Sequence, residues 1–379
     1  MDYVEAEAGD EGFVDLLANS PSPANRRSAS STSLATNVFI ILVLVMPSYG
    51  ADLSANPGVA PLADVIRGLK ASALDATALR QLGGTSGFRE YPQNPVLKTG
   101  PPGSWDAGAL GSMTVLKVGD FYHMYYEAWG DKGTGGLDYY SLQIGHAVSP
   151  DGLHWAKDPA NPVLPKGTGK DWDKDGTWDP FVIHEDGKFK MWYGGGENTH
   201  CDWAFAVSTD DSHFVKKGQI SHLGNVEDIH VVHDTAKARY YLYYWDRRRA
   251  PLGLMRAESP NETDFDFGHA APIKIEGEKY PGMYKFSHVF LDDGTWYMYY
   301  GNFGPSHCAN GTIRFATSTD GLHWTCRNKN LLKGHDGEVL KVADRLYIMY
   351  YGPQGYFDRR GCDIRAAIYA GDLKDLQSK

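Results

Sequence analysis

One pattern recurs five times along the chain and limits the possible folds more than any other feature. Each copy has an apolar stretch, a tight turn, a stretch ending in adjacent aromatic residues, a variable loop and another apolar stretch. A unit of about fifty residues that supplies four strands is typical of one blade of a β-propeller. The sequence therefore predicts an all-β fold, a five-bladed β-propeller. The copies are 115–126 with 144–155, 181–193 with 204–214, 229–244 with 252–257, 289–300 with 313–324, and 339–351 with 364–369.

The closure of this ring can also be inferred from the sequence. The fifth copy ends after its third strand at residues 364–369, with only a short polar tail behind it. Ahead of the first copy, residues 88–97 contain Asn-Pro-Val-Leu, which matches the outer strand of the first copy at 158–164. We therefore expect residues 88–97 to supply the missing outer strand of the last blade. The predicted catalytic domain spans residues 87–379.

The N-terminal part of the chain has a different composition. An apolar run at 37–46 follows Arg26 and Arg27, precedes small residues, and is about half the length that crosses a bilayer. Residues 1–51 are predicted to be a signal and low-complexity segment, which indicates a secreted or periplasmic protein without a stable membrane anchor. A short membrane anchor is the alternative. Residues 52–86 are predicted to be a short helical N-terminal arm, because apolar residues recur with helical spacing between 61 and 82.

Charge and cysteine content narrow the functions further. The net charge of −10 argues against nucleic acid as a partner, since phosphate binding requires a concentrated basic face. Export would permit disulfides, and the four cysteines (Cys201, Cys308, Cys326 and Cys362) allow three pairings that the sequence cannot distinguish.

Acidic residues and histidines recur where the innermost strands begin, and these strand starts open onto one face of a propeller. Burying like charges together costs stability unless the site uses them. One such residue could cap a turn, but a set from all five blades indicates a functional site. Glycoside hydrolysis requires a carboxylate base or nucleophile and a proton donor of raised pKa. The candidates for catalysis are Asp106, Asp179, Glu227, Asp228 and His288.

The aromatic repeats, the Ser-x-Asp-Gly-Leu-His-Trp segments at 149–155 and 318–324, and Trp178-Asp179-Pro180 resemble the five-bladed glycosidases. These are glycoside hydrolase family 43 and its relatives in families 32, 68, 117 and 130, and the resemblance covers residues 88–379. It implies hydrolysis of an oligo- or polysaccharide, with exo action and inversion. The family 43 pattern implies Asp106 as the base, Asp179 as the residue that tunes the acid, and Glu227 as the acid. Asp228 rather than Glu227 aligns with Asp179 when the repeats are superposed.

A second pattern, similar to family 117, implies Asp106 as base, Asp228 as a sugar-binding acid and His288 as the proton donor. The donor therefore remains open between Glu227 and His288. This pattern also implies a helical arm that mediates a homodimer, and a substrate such as the anhydrogalactose of algal galactans. A phosphorylase similar to family 130 and a non-catalytic carbohydrate-binding propeller are the alternatives to a hydrolase.

Further residues are candidates for binding the substrate. Aromatic side chains could stack on sugar rings, and arginines on the same face could bind a carboxylate or sulfate. The resemblance implies that no cofactor is required and allows a structural Ca²⁺ ion in the central channel, although no ligand spacing demands a metal. The predicted substrate-binding residues are Trp105, Trp178, Tyr126, His230, Arg247, His307 and Glu338.

Overall fold

The computed structural model describes residues 62–131, 137–197, 200–249, 253–278, 284–302, 311–353 and 362–376. The predicted signal segment, His307, Cys308 and the arginines at 359–360 lie outside these ranges. Among the described residues, none of the helices is both long and apolar enough to cross a membrane.

Five sheets form the body of the protein, and each corresponds to one predicted blade. Blade one contains β2 (Ala109–Val118), β3 (Phe121–Asp131), β4 (Leu137–Ser149) and β5 (Ala156–Lys157). Blade two contains β6 (Thr177–Glu185), β7 (Lys188–Glu197), β8 (His200–Ser208) and β9 (Val215–Gln219). Blade three contains β10 (Val226–Asp234), β11 (Arg239–Asp246), β12 (Leu254–Ser259) and β13 (Ala271–Pro272). The five-bladed β-propeller is confirmed.

The last two blades depart slightly from this plan. Blade four contains β14 (Lys274–Glu276), β15 (Tyr284–Asp292), β16 (Thr295–Asn302), β17 (Thr312–Ser318) and β18 (His323–Lys333). Strand β14 is an unpredicted fifth strand that pairs in parallel with β18. Blade five contains β19 (His335–Ala343), β20 (Leu346–Gly352), β21 (Arg365–Tyr369) and β1 (Arg89–Glu90).

The ring closes as the sequence predicts. Strand β1 pairs antiparallel with β21, with Arg89 opposite Ile368 and Glu90 opposite Ala367. Leu97 extends the same pairing by bridging to Ile364. The segment before the first blade therefore completes the last blade and joins the two ends of the propeller.

Turn residues and aromatic residues explain why the repeats fold in this way. Asp186-Gly187 and Asp293-Gly294 both take positive φ at each position (52° and 69°, 48° and 71°), as the tightest hairpin turns require. Each of five large apolar clusters packs side chains from two neighbouring blades, so the core lies between the blades. The aromatic residues at the ends of the second strands fill these interfaces, and those less than 2% exposed include Tyr126, Trp192, Tyr243, Tyr299 and Tyr350.

The N-terminal arm contains two helices, α1 (Leu62–Lys70) and α2 (Ala76–Leu82). The chain breaks between them because Asp75 caps α2, where its side chain accepts a hydrogen bond from the Ala78 amide at 2.8 Å. After α2, Gly84 exchanges backbone hydrogen bonds with Ile368 and Ala370 at 3.0 and 2.8 Å. The predicted helical character of the arm is therefore confirmed for its described part, which is attached to blade five; residues 52–61 lie outside the described ranges.

Candidate active site at the propeller axis

The innermost strand of every blade carries a β-bulge at the same place. The pairing register shifts at residues 111–112 in β2, 179–180 in β6, 228–229 in β10, 287 in β15 and 336–337 in β19. A bulge turns the local backbone and re-aims side chains, and bulges are common beside active sites. The repeat therefore supplies five equivalent positions around the axis of the propeller.

Three of these bulges hold an aspartate in the left-handed backbone region. Asp179, Asp228 and Asp336 have φ values of 45°, 53° and 51°, respectively. Aspartate tolerates this conformation better than most residues, but it still costs about 1–3 kcal/mol where the surroundings enforce it. The same strained conformation at three symmetric positions indicates a functional role for these carboxylates.

The three aspartates line one small pocket at the axis. The Asp228 amide donates a hydrogen bond to Asp179 Oδ2 at 3.3 Å, so the bulges of blades two and three are in direct contact. Asp336 Oδ2 lies 2.8 Å from Nδ1 of His335, a side chain that is 1% exposed. The lining comes from four of the five blades and comprises Ser112, Met113, Asp179, Pro180, Asp228, Ile229, His230 and Asp336.

A fourth carboxylate, Glu127, lies next to the pocket and was missed by the sequence analysis. Its two oxygens accept hydrogen bonds from the backbone amides of Asp179 at 2.8 Å and Ser112 at 3.2 Å. Burial raises the pKa of Glu127 well above its usual value, and the nearby charges of Asp179 and Asp336 raise it further, outweighing these hydrogen bonds. Burial and the neighbouring carboxylates therefore favour the neutral form of the Glu127 side chain.

The signal for Glu127 was present in the repeat. It lies in β3 opposite the bulge of blade one, where the register places Tyr193, Tyr244 and Tyr351 in blades two, three and five. A glutamate at a position that is otherwise tyrosine is a departure from the pattern. The catalytic candidates predicted from the sequence come from the starts of the innermost strands, whereas Glu127 lies on the second strand of its blade.

The residue after each bulge forms a ring one level deeper in the channel. His230 packs against Phe181 and His288, with ring centroids 4.9 and 5.7 Å apart. His288 Nδ1 makes a short contact with Glu338, and the other Glu338 oxygen accepts a hydrogen bond from the Val115 amide at 3.2 Å. The structure thus brings the predicted residues His230, His288 and Glu338 together, with His230 also lining the pocket above.

Glu227 and Arg247 also lie near this pocket but are paired with each other. Arg247 Nη1 donates to Glu227 Oε1 at 2.9 Å, and the Arg247 side chain is 44% exposed. An arginine partner favours the ionised form of a carboxyl group, so Glu227 is poorly suited to carry a proton for a leaving group. The cation of Arg247 is likewise already matched by a carboxylate.

The structure does not bring Asp106 to the pocket. Asp106 is 3% exposed and forms an ion pair with Lys157 on β5, the outermost strand of blade one. Asp173 is held in the same way by Lys216 on β9, at 2.6 Å. Trp105-Asp106 is therefore the counterpart of Trp172-Asp173 in the connection between blades. In blade one, Gly111 rather than an aspartate occupies the bulge position.

Of the three aromatic candidates for sugar binding, two pack within blade one and one lies beside the pocket. Tyr126 is fully buried, and Trp105 stacks on it with ring centroids 6.1 Å apart, so both belong to the packing of blade one. Trp178 is half-buried and precedes the bulge aspartate of blade two. Its indole covers Gly194, where an added Cβ would lie 2.4 Å from Trp178 Nε1. Trp178 is the aromatic candidate that the structure places beside the pocket.

Two groups among the described residues could hold a metal ion: His230, His288 and Glu338 in the channel, and a second group on the opposite face. Calcium prefers six to eight oxygen ligands. The channel group offers two imidazoles and one carboxylate, so its donor atoms fit calcium poorly. Among the described residues, Cys201 and Cys326 are free thiols.

The fold is shared with solved five-bladed propellers of carbohydrate-active proteins. No known protein-family profile matches the chain, and no curated protein sequence matches it. Because the solved structures are less than 20% identical to the chain, the likeness establishes the fold and leaves the activity to be argued from the site.

Three of these structures illustrate the likeness. A β-1,2-mannobiose phosphorylase from Listeria innocua, in complex with β-1,2-mannobiose, has a TM-score of 0.59 at 13% identity, over 76% of this chain and 98% of its own. A candidate glycoside hydrolase from Parabacteroides distasonis ATCC 8503 has a TM-score of 0.57 at 16% identity, over 78% and 99%. A thermostable family 43 glycoside hydrolase has a TM-score of 0.52 at 19% identity, over 71% and 91%.

Proposed function

We propose that this protein is a glycoside hydrolase whose reaction takes place between the bulge aspartates. The observation that carries the proposal is the set of Asp179, Asp228 and Asp336, three carboxylates in the same left-handed conformation that line one pocket. Glycosidases require two carboxyl groups in different protonation states on either side of the scissile bond. Carboxylates that share a pocket cannot all ionise, so such a set favours this arrangement.

The hydrogen bonds suggest which carboxyl group takes each role. Asp179 accepts the Asp228 amide, and a donated N–H stabilises an ionised carboxylate, so Asp179 is proposed as the base that activates water. Asp228 is 6% exposed and lies beside that charge, so it is proposed as the proton donor. Asp336, paired with His335, is proposed to bind a sugar hydroxyl. Glu127 is a positioning residue, because it holds the Asp179 backbone.

This assignment revises the two patterns implied by family resemblance. The base moves from Asp106 to Asp179, since the former is held between blades by Lys157. The donor moves from Glu227 or His288 to Asp228. His288 lies in the deeper ring with Glu338, and Glu227 is engaged by Arg247. Inversion, exo action on an oligosaccharide, export and dimer formation through the arm remain part of the proposal.

Substrates with different leaving groups test the roles. The purified protein is first screened against aryl glycosides of common plant and algal sugars, with and without phosphate. Asp228→Asn should lose about 10²–10⁴ in kcat on a poor leaving group, the usual contribution of a general acid, and much less on a dinitrophenyl glycoside. Asp179→Asn should lose activity on both, because the base is needed whatever the leaving group. Following the product anomer by NMR tests inversion.

A matched control is available in blade two. Asp173→Asn also removes a buried carboxylate, one held by Lys216 outside the pocket, and should leave kcat of the folded protein unchanged. The hydrolase is refuted if turnover requires phosphate. It is also refuted if Asp179→Asn and Asp228→Asn retain the wild-type kcat on every substrate that the wild type cleaves.

A further inference from the structure

A second cluster of titratable side chains lies on the face opposite the candidate active site. We call His123, His146, Asp158 and Asp211 the His123 cluster. His123 follows the hairpin between the first two strands of blade one, and His146 lies on the neighbouring strand β4. Asp211 belongs to the turn between β8 and β9 of blade two, where it has a φ of 71°. The cluster therefore joins two blades.

Three of these residues converge on one point. Nδ1 of His123 lies 3.0 Å from Nε2 of His146 and 3.7 Å from Oδ2 of Asp211. All three candidate ligand atoms lie within 4.8 Å of one another. A tetrahedral Zn²⁺ ion with Zn–N distances of about 2.0 Å holds its nitrogens about 3.3 Å apart, close to the 3.0 Å between the two imidazole nitrogens here.

The hydrogen bonds around His146 suit metal binding. His146 Nδ1 lies 2.9 Å from Asp158 Oδ2, and Asp158 also accepts hydrogen bonds from Ser212 Oγ at 2.6 Å and the Ala160 amide at 2.8 Å. These hydrogen bonds hold the Asp158 carboxylate in place beside the His146 ring. Nδ1 of His146 therefore donates to Asp158, and the lone pair on Nε2 points towards His123.

This arrangement matches the usual surroundings of a metal-bound histidine. Such a histidine donates its second ring N–H to a carboxylate, which fixes the tautomer and raises the basicity of the ligand nitrogen. Aromatic rings enclose the group: Tyr125 stacks on His146 with centroids 4.7 Å apart, and Phe189 lies 5.4 Å from His123. His123 is 6% exposed and His146 is fully buried.

We propose that His123, His146 and Asp211 bind a divalent transition-metal ion that fastens blade one to a turn of blade two. Two imidazoles and one carboxylate select a borderline ion such as Zn²⁺ over Ca²⁺ or Mg²⁺, which prefer oxygen ligands. The site lies on the hairpin side of the blades, away from the bulge aspartates. Its role is structural, and it does not depend on the function proposed above.

Metal titration of the full-length protein tests this proposal. After removal of metal with a chelator, the protein is titrated with ZnCl₂ by calorimetry. The wild type should bind one more equivalent of Zn²⁺ than the His123→Asn variant. Asp158→Asn should bind that equivalent about 10–100-fold more weakly, the usual effect of losing the carboxylate behind a ligand histidine. Zn²⁺ should also raise the melting temperature of the wild type, because it binds only the folded state.

Two controls separate this site from other metal ligands. His213→Ala removes an exposed histidine from the same turn as Asp211 and should change nothing. His230→Asn removes the channel group and should leave the extra equivalent in place. The proposal is overturned if His123→Asn binds as much Zn²⁺ as the wild type with the same affinity. If His123→Asn does not fold, Asp211→Asn is titrated instead, because Asp211 lies in a partly exposed turn. A Zn²⁺ affinity equal to that of the wild type would then overturn the proposal.

Discussion

The raised pKa of Glu127 predicts an unusual dependence of stability on pH. A buried carboxyl whose pKa is raised in the fold holds its proton where the unfolded chain has already lost it. Between the unfolded pKa of about 4.3 and the higher folded value, the folded state binds one proton more, so stability falls as the pH rises. The free energy of unfolding then falls by about 1.4 kcal/mol per pH unit for one proton.

Glu127→Gln removes this proton while keeping the shape of the side chain. The amide can accept only one of the two backbone N–H groups that Glu127 accepts, so at pH 4.5 the variant should be less stable by about 1–3 kcal/mol. As the pH rises, the wild type should lose about 1.4 kcal/mol of its free energy of unfolding per pH unit relative to the variant. Urea unfolding followed by tryptophan fluorescence between pH 4.5 and 8 measures both quantities.

Glu278→Gln provides the control, because the fold lowers the pKa of Glu278 instead of raising it. Burial acts to raise the pKa of Glu278, but hydrogen bonds from Tyr300 and Arg314 outweigh it and lower the pKa below its usual value. Both folded and unfolded states are then ionised above pH 5, so the loss of stability in Glu278→Gln should be constant from pH 5 to 8. If Glu127→Gln shows the same flat profile, Glu127 is ionised in the fold and the reasoning fails.

Three further variants test the backbone, the ion pair and the packing near the site. Asp336→Gly should lower activity with little change in stability, because the relief of the left-handed strain is offset by the loss of the hydrogen-bond partner of buried His335; kcat and urea unfolding measure the two effects. Asp106→Asn should destabilise the protein by about 1–3 kcal/mol by removing the charged partner of the partly buried Lys157, yet leave kcat of the folded enzyme unchanged. Gly194→Ala should displace Trp178, whose Nε1 would lie 2.4 Å from the new Cβ, and raise KM more than it lowers kcat.

The sequence was sufficient for the architecture because the repeat combines two independent signals. Aromatic pairs mark the interface between blades, and the Asn-Pro-Val-Leu match at 94–97 and 161–164 marks the outer strand that closes the ring. The fifth strand of blade four left no such signal, since β14 has three residues and pairs in parallel with a distant strand.

The site was predicted less completely, for a physical reason. Asp179 and Asp228 stand directly before apolar strand residues, so the repeat alone aligned them. Asp106 follows a tryptophan and looked equivalent, but a bulge depends on backbone register, which a sequence match does not report. Glu127 acts from the second strand through hydrogen bonds to backbone amides, and such contacts appear only once the strands are paired.

Closure of the ring by β1 also governs when this protein can fold during its synthesis. Glu90 and Arg365, which pair across the closing strands at 3.1 Å, are 275 positions apart in the chain. At roughly 5–20 residues per second, about 14–55 s pass between their emergence from the ribosome. Throughout that interval β1 has no partner, and blade five cannot form. The complete propeller is therefore assembled only after β21 has been translated, and chaperones can bind the unpaired edge strands until then.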